Sequence, residues 1–429
     1  MKIIVHGREL TALVTAATLA GTGQEVVLVC GDEIAARDLR AGRLPFEEPG
    51  LADALAQAVG TGRLAVVADL PPREGRVAVH FLALQPEEFA SAGAQLATIA
   101  AFDGDVLLVN QVNFGVGAPD ALYARLLAQR GDGTRTAAAS LPDFLRRGSA
   151  LANFRRPDRV IIGTGDPWAE GLLREILRPF TGDDVAVHVM PAKDAEFTKQ
   201  AVNGMLATRL SYMNDMANVA DGLGIDIENV RLGVGSDERI GSHFLHPGCG
   251  FGGTGFYQDL LSLKATLDDS GVASKLVDTA IAVNEEQKEL LFRKLWRHYR
   301  GELAGRTVAV WGVAFKPDTD RVDHAPALRV IAALLAQGVI VRAHDPKALA
   351  ELRLHFGEEP LLEECADRWH AVEGADALLV LTEWQEYRAP DFERLRTLMR
   401  TPLLLDGRNL FDPRAVRAHG IGYYGVGRR

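Results

Sequence analysis

Residues Pro191 to Gly224 carry apolar side chains at two interleaved helical spacings. One stripe runs through Phe197, Ala201, Met205, Tyr212, Met216, Val219 and Leu223, the other through Val202, Leu206, Leu210, Met213 and Ala217. Two stripes predict one long helix buried on most sides, opened by Pro191 and closed by Gly224. Such a helix suits a spine between two domains or the core of a dimer, and the rest of the chain must be arranged around it. Lys199 and Asn203 lie four residues apart on it, so they share one side and could reach one ligand. The helix alone leaves open the plainer alternative of a solvated lysine and a surface asparagine.

A length of 429 residues predicts about two to three domains. The net charge of −10 argues against nucleic-acid binding, so an anionic ligand must be met by local Lys, Arg or backbone amides. Cys30, Cys249 and Cys365 are widely spaced and form no CxxC pair, which points to a reducing compartment and to neither a disulfide framework nor a metal site. No apolar run approaches the roughly 18 residues of a membrane span. The expectation is a cytoplasmic protein without a membrane partner.

Before the spine, Lys2 to Val5 reads as a strand, Gly7 as a turn, Leu10 to Leu19 as a helix and Val26 to Val29 as a second strand. This is how a dinucleotide-binding unit begins, with phosphate at the helix N-terminus. The G-x-G-x-x-G/A frame falls on Gly7, Glu9 and Ala12. Glu9 places bulk and negative charge where glycine would let the backbone approach a pyrophosphate. Cys30 stands where an acidic residue would hold the ribose hydroxyls, and a thiol cannot accept those bonds. Further strands are expected at Val77 to Leu84 and Val106 to Val109. After the spine, the segment Val234 to Asp259 is rich in glycine, which suits backbone wrapped around a ligand. From Thr307 the pattern restarts, with strands at Thr307 to Val310, Val339 to His344, Ala377 to Thr382 and Leu403 to Asp406 and a helix at Ala325 to Gln337. The predicted fold is α/β: two Rossmann-like parallel-sheet domains joined by a long central helix, with domains at 1–190, 191–300 and 301–429.

The blocks EPGL (Glu48 to Leu51), PDFLRRGSA (Pro142 to Ala150), PDRVIIG (Pro157 to Gly163), KQAVNGMLAT (Lys199 to Thr208), RIGSHFL (Arg239 to Leu245), GFGGTGF (Gly250 to Phe256), AFKPDTD (Ala314 to Asp320), TEW (Thr382 to Trp384) and DGRN (Asp406 to Asn409) resemble the UDP-glucose 6-dehydrogenase and GDP-mannose dehydrogenase family along nearly the whole chain. The resemblance implies oxidation of a sugar C6 alcohol to a carboxylate with NAD, through a thioester on a cysteine. It assigns Lys199 and Asn203 to oxyanion stabilisation and sugar binding, and Asp259 to water activation. Arg239, Phe244, Leu245, Gly252, Lys316 and Arg408 become nucleotide-sugar contacts, Arg239 as one that can reach across a dimer.

The same resemblance locates departures. Gly255 occupies the position of the nucleophilic cysteine. Asp143 is a shortened version of a glutamate, and Arg147 reverses the charge of another. Gln111 and Asn113 replace a threonine and a proline, and the loop LALQP after Phe81 lacks a threonine-proline signature. Asp323 and His324 replace an arginine and an acidic residue near the cofactor. Together with Glu9 and Cys30 these changes predict a protein that binds a nucleotide sugar, of the UDP-glucose or UDP-glucuronate kind, and has lost NAD turnover. It would serve as a sensor or as the partner of an active paralogue, in a homodimer or heterodimer. The alternative is an active, divergent NAD-dependent enzyme acting on the C6 alcohol of UDP-glucose.

Overall fold

The computed structural model describes residues 1–69, 76–84, 92–111, 115–131 and 133–428, in two compact units, Met1–Val202 and Asn203–Arg429. Gln85 and Pro86 of the LALQP loop, and Asn113, lie outside the described residues.

The first unit alternates strands and helices: β1 (Lys2–His6), α1 (Leu10–Gly21), β2 (Val26–Val29), α2 (Glu33–Arg40), α3 (Leu51–Gly60), β3 (Leu64–Val67), β4 (Val77–Leu82), α4 (Ala92–Ala100), β5 (Asp105–Asn110), α5 (Ala118–Gln129), β6 (Thr136–Ser140), α6 (Ala150–Arg155), β7 (Arg159–Gly163), α7 (Pro167–Thr181) and β8 (Ala186–Met190). Its sheet has the order β3-β2-β1-β4-β5-β6-β7-β8. The first six strands run parallel, β6 meets β7 antiparallel at Ser140 and Gly163, and β7 and β8 are parallel. Parallel strands are covered on both faces, which is why β2 and β5 read as short apolar runs. One face packs Leu13, Leu19 and Phe81, the other Ile4, Leu82, Leu96 and Leu126.

The spine is α8 (Ala192–Leu223), 32 residues and about 48 Å long at the usual helical rise; the division between the units falls within it. The expectation that it is buried on most sides needs correction. Met213 and Ala217 of one stripe are fully buried, whereas Met205, Tyr212, Val219 and Leu223 of the other are 64%, 56%, 49% and 68% exposed. The buried stripe packs on Ile227, Leu245, Leu290 and Val426. Periodicity identifies apolar faces, but not whether one chain covers both.

The second unit continues with α9 (Ile227–Gly235), α10 (Phe256–Asp269), α11 (Lys275–Lys288), α12 (Leu290–His298), β9 (Thr307–Trp311), α13 (Pro326–Ala336), β10 (Ile340–His344), α14 (Leu349–Phe356), β11 (Leu362–Glu364), α15 (Arg368–Val372), β12 (Ala377–Val380), α16 (Phe392–Leu398), β13 (Leu403–Asp406), α17 (Pro413–Ala418) and β14 (Gly422–Tyr424). Its sheet, β11-β10-β9-β12-β13-β14, is parallel throughout. Both units therefore reverse strand order beside their first strand, where α/β sheets open a ligand crevice at the carboxyl ends. Among the described residues no helix is long and apolar enough to cross a membrane.

Candidate functional site

The blocks AFKPDTD, TEW and DGRN follow β9, β12 and β13, so the second sheet brings all three to its carboxyl edge. Gly312 ends β9 with φ +90°, and a Cβ there would stand 2.4 Å from that of Thr382, so the strand ends close up only on glycine. Asp345, just past β10 and 3% exposed, pins this edge. Its Oδ2 accepts the amides of Val313 (2.7 Å) and Ala314 (2.9 Å) and the indole N–H of Trp384 (3.0 Å). Nothing in the motif blocks singles out Asp345; the available signal is an acidic residue directly after an apolar strand.

Arg408, just past β13, donates from Nε to the Leu381 carbonyl (2.8 Å) and from Nη1 to the Gly250 carbonyl (3.0 Å). Its Nε also lies 3.1 Å from the Glu383 carboxylate. Its Nη2 is buried with no hydrogen-bond partner among the described residues, a donor that an anionic or carbonyl oxygen would satisfy. Lys316 is half-buried on the same edge, its ammonium 5.8 Å from the Phe315 ring centre.

Arg408 thus ties the sheet to the glycine-rich loop. The loop is also held by α11: the Phe251 amide donates to Asn284 Oδ1 (2.8 Å), Asn284 Nδ2 donates to the Phe251 carbonyl (3.0 Å), and Gln287 Nε2 donates to the Gly248 carbonyl (2.8 Å). Beside it, Tyr257 donates to Glu285 (2.8 Å), which also accepts from the buried Lys288 (2.6 Å). Burial lowers the Lys288 pKa, although Glu285 opposes the shift. These α11 partners are missing from the motif reading because mid-helix polar residues carry no local signature.

The loop delivers the chain to the N-terminus of α10, where Gly255 is the N-cap and has nothing within 4 Å of a built Cβ. One turn on, Asp259 accepts from Asn203 Nδ2 at 2.7 Å. Cys249 is no substitute nucleophile: it is fully buried, its thiol lies 3.8 Å from the Leu381 carbonyl, and burial raises its pKa. Gly252 packs so closely that a Cβ would lie 2.4 Å from the His324 carbonyl oxygen. Phe244 takes φ +57° and Leu245 is buried. Arg239 is not brought to these residues; it is 89% exposed and paired with Asp237 at 2.7 Å. Asp323 pairs with Arg321 (2.8 Å), and the His324 ring lies 4.8 Å from that of Tyr257.

In the first unit, Lys199 and Asp143 meet at 3.6 Å, both nearly buried. Asp143 also accepts from Thr11, in the first turn of α1, at 2.9 Å. Its segment is anchored by Glu48 of EPGL, whose carboxylate accepts the amides of Gly148 (2.7 Å) and Ala150 (2.8 Å). Arg147 lies over the Phe46 ring at 4.7 Å. A cavity of about 90 Å³ opens beside Asp143, between Phe144, Phe154 and Phe180. Besides Asp143 it is lined by Gln111, another of the departures from the family pattern.

The dinucleotide frame is built in part. Gly7 has φ +131° and a Cβ there would be 2.3 Å from the Ala83 carbonyl oxygen and 3.0 Å from the Ala12 side chain, so the tight turn requires glycine and a small neighbour. Glu9 is the N-cap of α1 but makes no side-chain capping bond, which leaves the first amides of the helix open to an anion. These features fit the pyrophosphate of NAD. The adenosine end fits less well: Cys30 is 6% exposed, and burial pushes its thiol up to about 11, so it stays protonated and accepts weakly. Asp32, two residues on, caps α2 at the Ile34 amide (2.7 Å) and faces Arg8 at 3.5 Å.

Three descriptions match the chain in order: the UDP-glucose/GDP-mannose dehydrogenase family NAD binding domain over residues 1–181, its central domain over 193–286 and its UDP binding domain over 309–413. The chain is 41% identical to the UDP-glucose 6-dehydrogenase of Pseudomonas aeruginosa, covering 100% of this chain and 98% of that protein. It is 34% identical to the UDP-glucose 6-dehydrogenase of Rhizobium meliloti, with 100% of each covered. Among solved structures it resembles a UDP-glucose dehydrogenase of the archaeon Pyrobaculum islandicum, with a TM-score of 0.88, 30% identity and coverage of 100% and 98%.

Proposed function

Because the chain belongs to the UDP-glucose/GDP-mannose dehydrogenase family, with its NAD-binding and UDP-binding domains, we propose that it oxidises the C6 alcohol of UDP-glucose or a close UDP-sugar and stops at the aldehyde. The carrying observation is the start of α10, where Asn203 holds Asp259 at 2.7 Å while the N-cap is Gly255, with open space and no thiol. Arg408 and Lys316 bind the sugar nucleotide, the unsatisfied Nη2 of Arg408 taking an oxygen of it. NAD, held by Gly7 and the first amides of α1, supplies the hydride acceptor. Asp259 receives the hydroxyl proton through water, and Lys199 steadies the alkoxide as it forms. The C6 carbon loses one hydride and its oxygen one proton. Without a thiolate at position 255 no thioester bond can form, so the second oxidation has no covalent route.

The test is incubation with UDP-glucose and NAD⁺ in the presence of hydroxylamine, which traps an aldehyde as its oxime. One NADH per trapped sugar is expected. Two NADH with UDP-glucuronate as product would overturn the proposal. Binding of UDP-glucose with no NADH at all would favour the second reading, a nucleotide-sugar binder without turnover, for which the specific support is the buried, protonated Cys30 at the ribose position. That reading rests on replaced residues alone, and the family match over all three domains favours the active one.

The exposed stripe Met205, Tyr212, Val219 and Leu223 supports a dimer through α8, with a second copy or a paralogue covering it. Sedimentation of the wild type and Tyr212→Glu should give a dimer and a monomer; two identical profiles would refute this use of the stripe. Three free, buried cysteines are in keeping with work in the cytoplasm.

A further inference from the structure

β11 is the edge strand of the second sheet. Glu363 lies in it and Cys365 just beyond, two residues apart, so extended chain turns both side chains to one face. The chain then returns as α15 and brings His370 to that face. The possible ligand atoms of Glu363, Cys365 and His370 all lie within 4.8 Å of one another. His370 Nε2 is 3.3 Å from Glu363 Oε1. Arg342, paired with Glu363 in the β10–β11 register, donates to the other carboxylate oxygen at 2.9 Å and to the Glu373 carbonyl at 2.7 Å. The carboxylate is thereby oriented with Oε1 toward the histidine. Cys365 is 3% exposed, whereas Glu363 and His370 are exposed.

We propose that Glu363, Cys365 and His370 bind a divalent metal ion of the zinc class at the edge of the second sheet. Tetrahedral zinc, with sulfur at about 2.3 Å and nitrogen or oxygen at about 2.0–2.2 Å, sets its ligand atoms roughly 3.3–3.8 Å apart. The trio must contract by up to about 1–1.5 Å to reach this geometry, which the two exposed side chains can supply around the fixed sulfur. One thiolate, one imidazole and one carboxylate form a borderline-soft set that favours zinc, cobalt or nickel over magnesium and calcium. Binding releases the Cys365 proton to solvent and leaves the fourth position to water. The ion would clip the edge strand to α15. Cysteine spacing alone argued against a zinc site because it looks for paired cysteines; here the histidine and glutamate complete the set.

The test is titration of the metal-free full chain with Co²⁺, whose bond to a thiolate gives a charge-transfer band in the near ultraviolet. One Co²⁺ per chain is expected, displaced by Zn²⁺ and retained in excess Mg²⁺. The band should vanish in Cys365→Ser, and His370→Ala should weaken binding at least about tenfold. Glu364→Gln, which alters a carboxylate paired with Arg353 instead, should bind as the wild type does. Absence of the band in the wild type, its survival in Cys365→Ser or unchanged affinity in His370→Ala would each overturn the proposal. His370 is at the surface, so that variant decides the matter even if Cys365→Ser does not fold.

Discussion

His6 on β1 and His80 on β4 are each 1% exposed and stack with ring centres 5.3 Å apart, joined by one hydrogen bond of 3.0 Å between His6 Nε2 and His80 Nδ1. Strand alternation puts them on the face that carries Ile4, Leu82 and Leu108. Neither remaining ring nitrogen has a hydrogen-bond partner among the described residues. Burial lowers the His6 pKa from 6.5 to about 4 and holds His80 well below 6.5, with the charges of His6 and Arg130 acting in the same direction on His80. The folded chain therefore keeps the pair neutral where the unfolded chain protonates it. Stability is complete above pH 6.5 and is lost as pH falls from there through about 4. For His6 alone, the ratio of unfolded to folded titration factors at pH 5 is about 30, a loss of about 2 kcal/mol relative to pH 8. The assay is urea unfolding at pH 8 and pH 5, comparing the wild type with His6→Phe/His80→Leu and reading the transition of the first unit. Trp168, the single tryptophan of residues 1–202, reports it locally. The wild type should lose at least about 2 kcal/mol more than the double variant on acidification, the His6 contribution alone supplying that amount, while other titrating groups cancel in the comparison. His80→Leu alone should cost about 1–3 kcal/mol at pH 8, by leaving His6 Nε2 unpaired. Equal losses in wild type and double variant would refute the argument that burial holds this pair neutral.

Three further outcomes follow from the site. Gly255→Cys should fit without displacement, since nothing lies within 4 Å of its Cβ, and the N-terminus of α10 should depress the thiol pKa; NADH per UDP-glucose should rise from one toward two, with UDP-glucuronate detected by mass spectrometry. Arg408→Ala should weaken UDP-glucose binding by about 1.5–3 kcal/mol, roughly 10- to 100-fold by calorimetry, because it removes a charged, partly unsatisfied donor. Cys30→Asp should tighten NAD⁺ binding about tenfold and leave UDP-glucose affinity unchanged, since Arg8 and Arg40 lie near enough to Cys30 to offset the burial of a carboxylate.

The alternation of strands and helices was legible because parallel strands are buried on both faces and read as apolar runs: β1, β2, β5, β9, β10 and β13 all begin or end within two residues of the expected positions. β3 (LAVV) and β7 (RVIIG) carry the cue yet are absent from the sequence reading; for the other strands that escaped the cue fails. β6 is TAAAS, β8 is half-exposed with a central histidine, and β11 and β14 have three residues each. At the site, residues inside motif blocks could be named, whereas their supports could not. Asp345 pins loops that begin 32 and 39 residues away, and Asn284 holds a loop 33 residues away; such pairings exist only after the sheet and α11 have formed. Glu9 shows a different gap between sequence and fold. The sequence places its bulk and charge at the pyrophosphate position, and the fold adds that its side chain does not cap α1.

The glycine-rich loop separates what packing requires from what chemistry requires. A Cβ at Gly250 would meet Lys288 at 2.9 Å, at Gly252 the His324 carbonyl at 2.4 Å and at Gly253 the Phe315 ring at 2.6 Å. Gly250 and Gly253 also take φ +93° and +99°, where side chains are strained. These glycines are needed to seat the loop on α11 and on the segment after β9, and a protein that only bound a nucleotide sugar would need them equally. Their presence therefore says nothing about turnover. Gly255 differs in every respect: its φ of −86° and ψ of −74° suit any residue, and the space beside it is open. Packing does not dictate the occupant of position 255, so the proposed arrest at the aldehyde would hang on this one position, and Gly255→Cys tests it without any change to the loop, to Asn203 and Asp259, or to the crevice around Arg408.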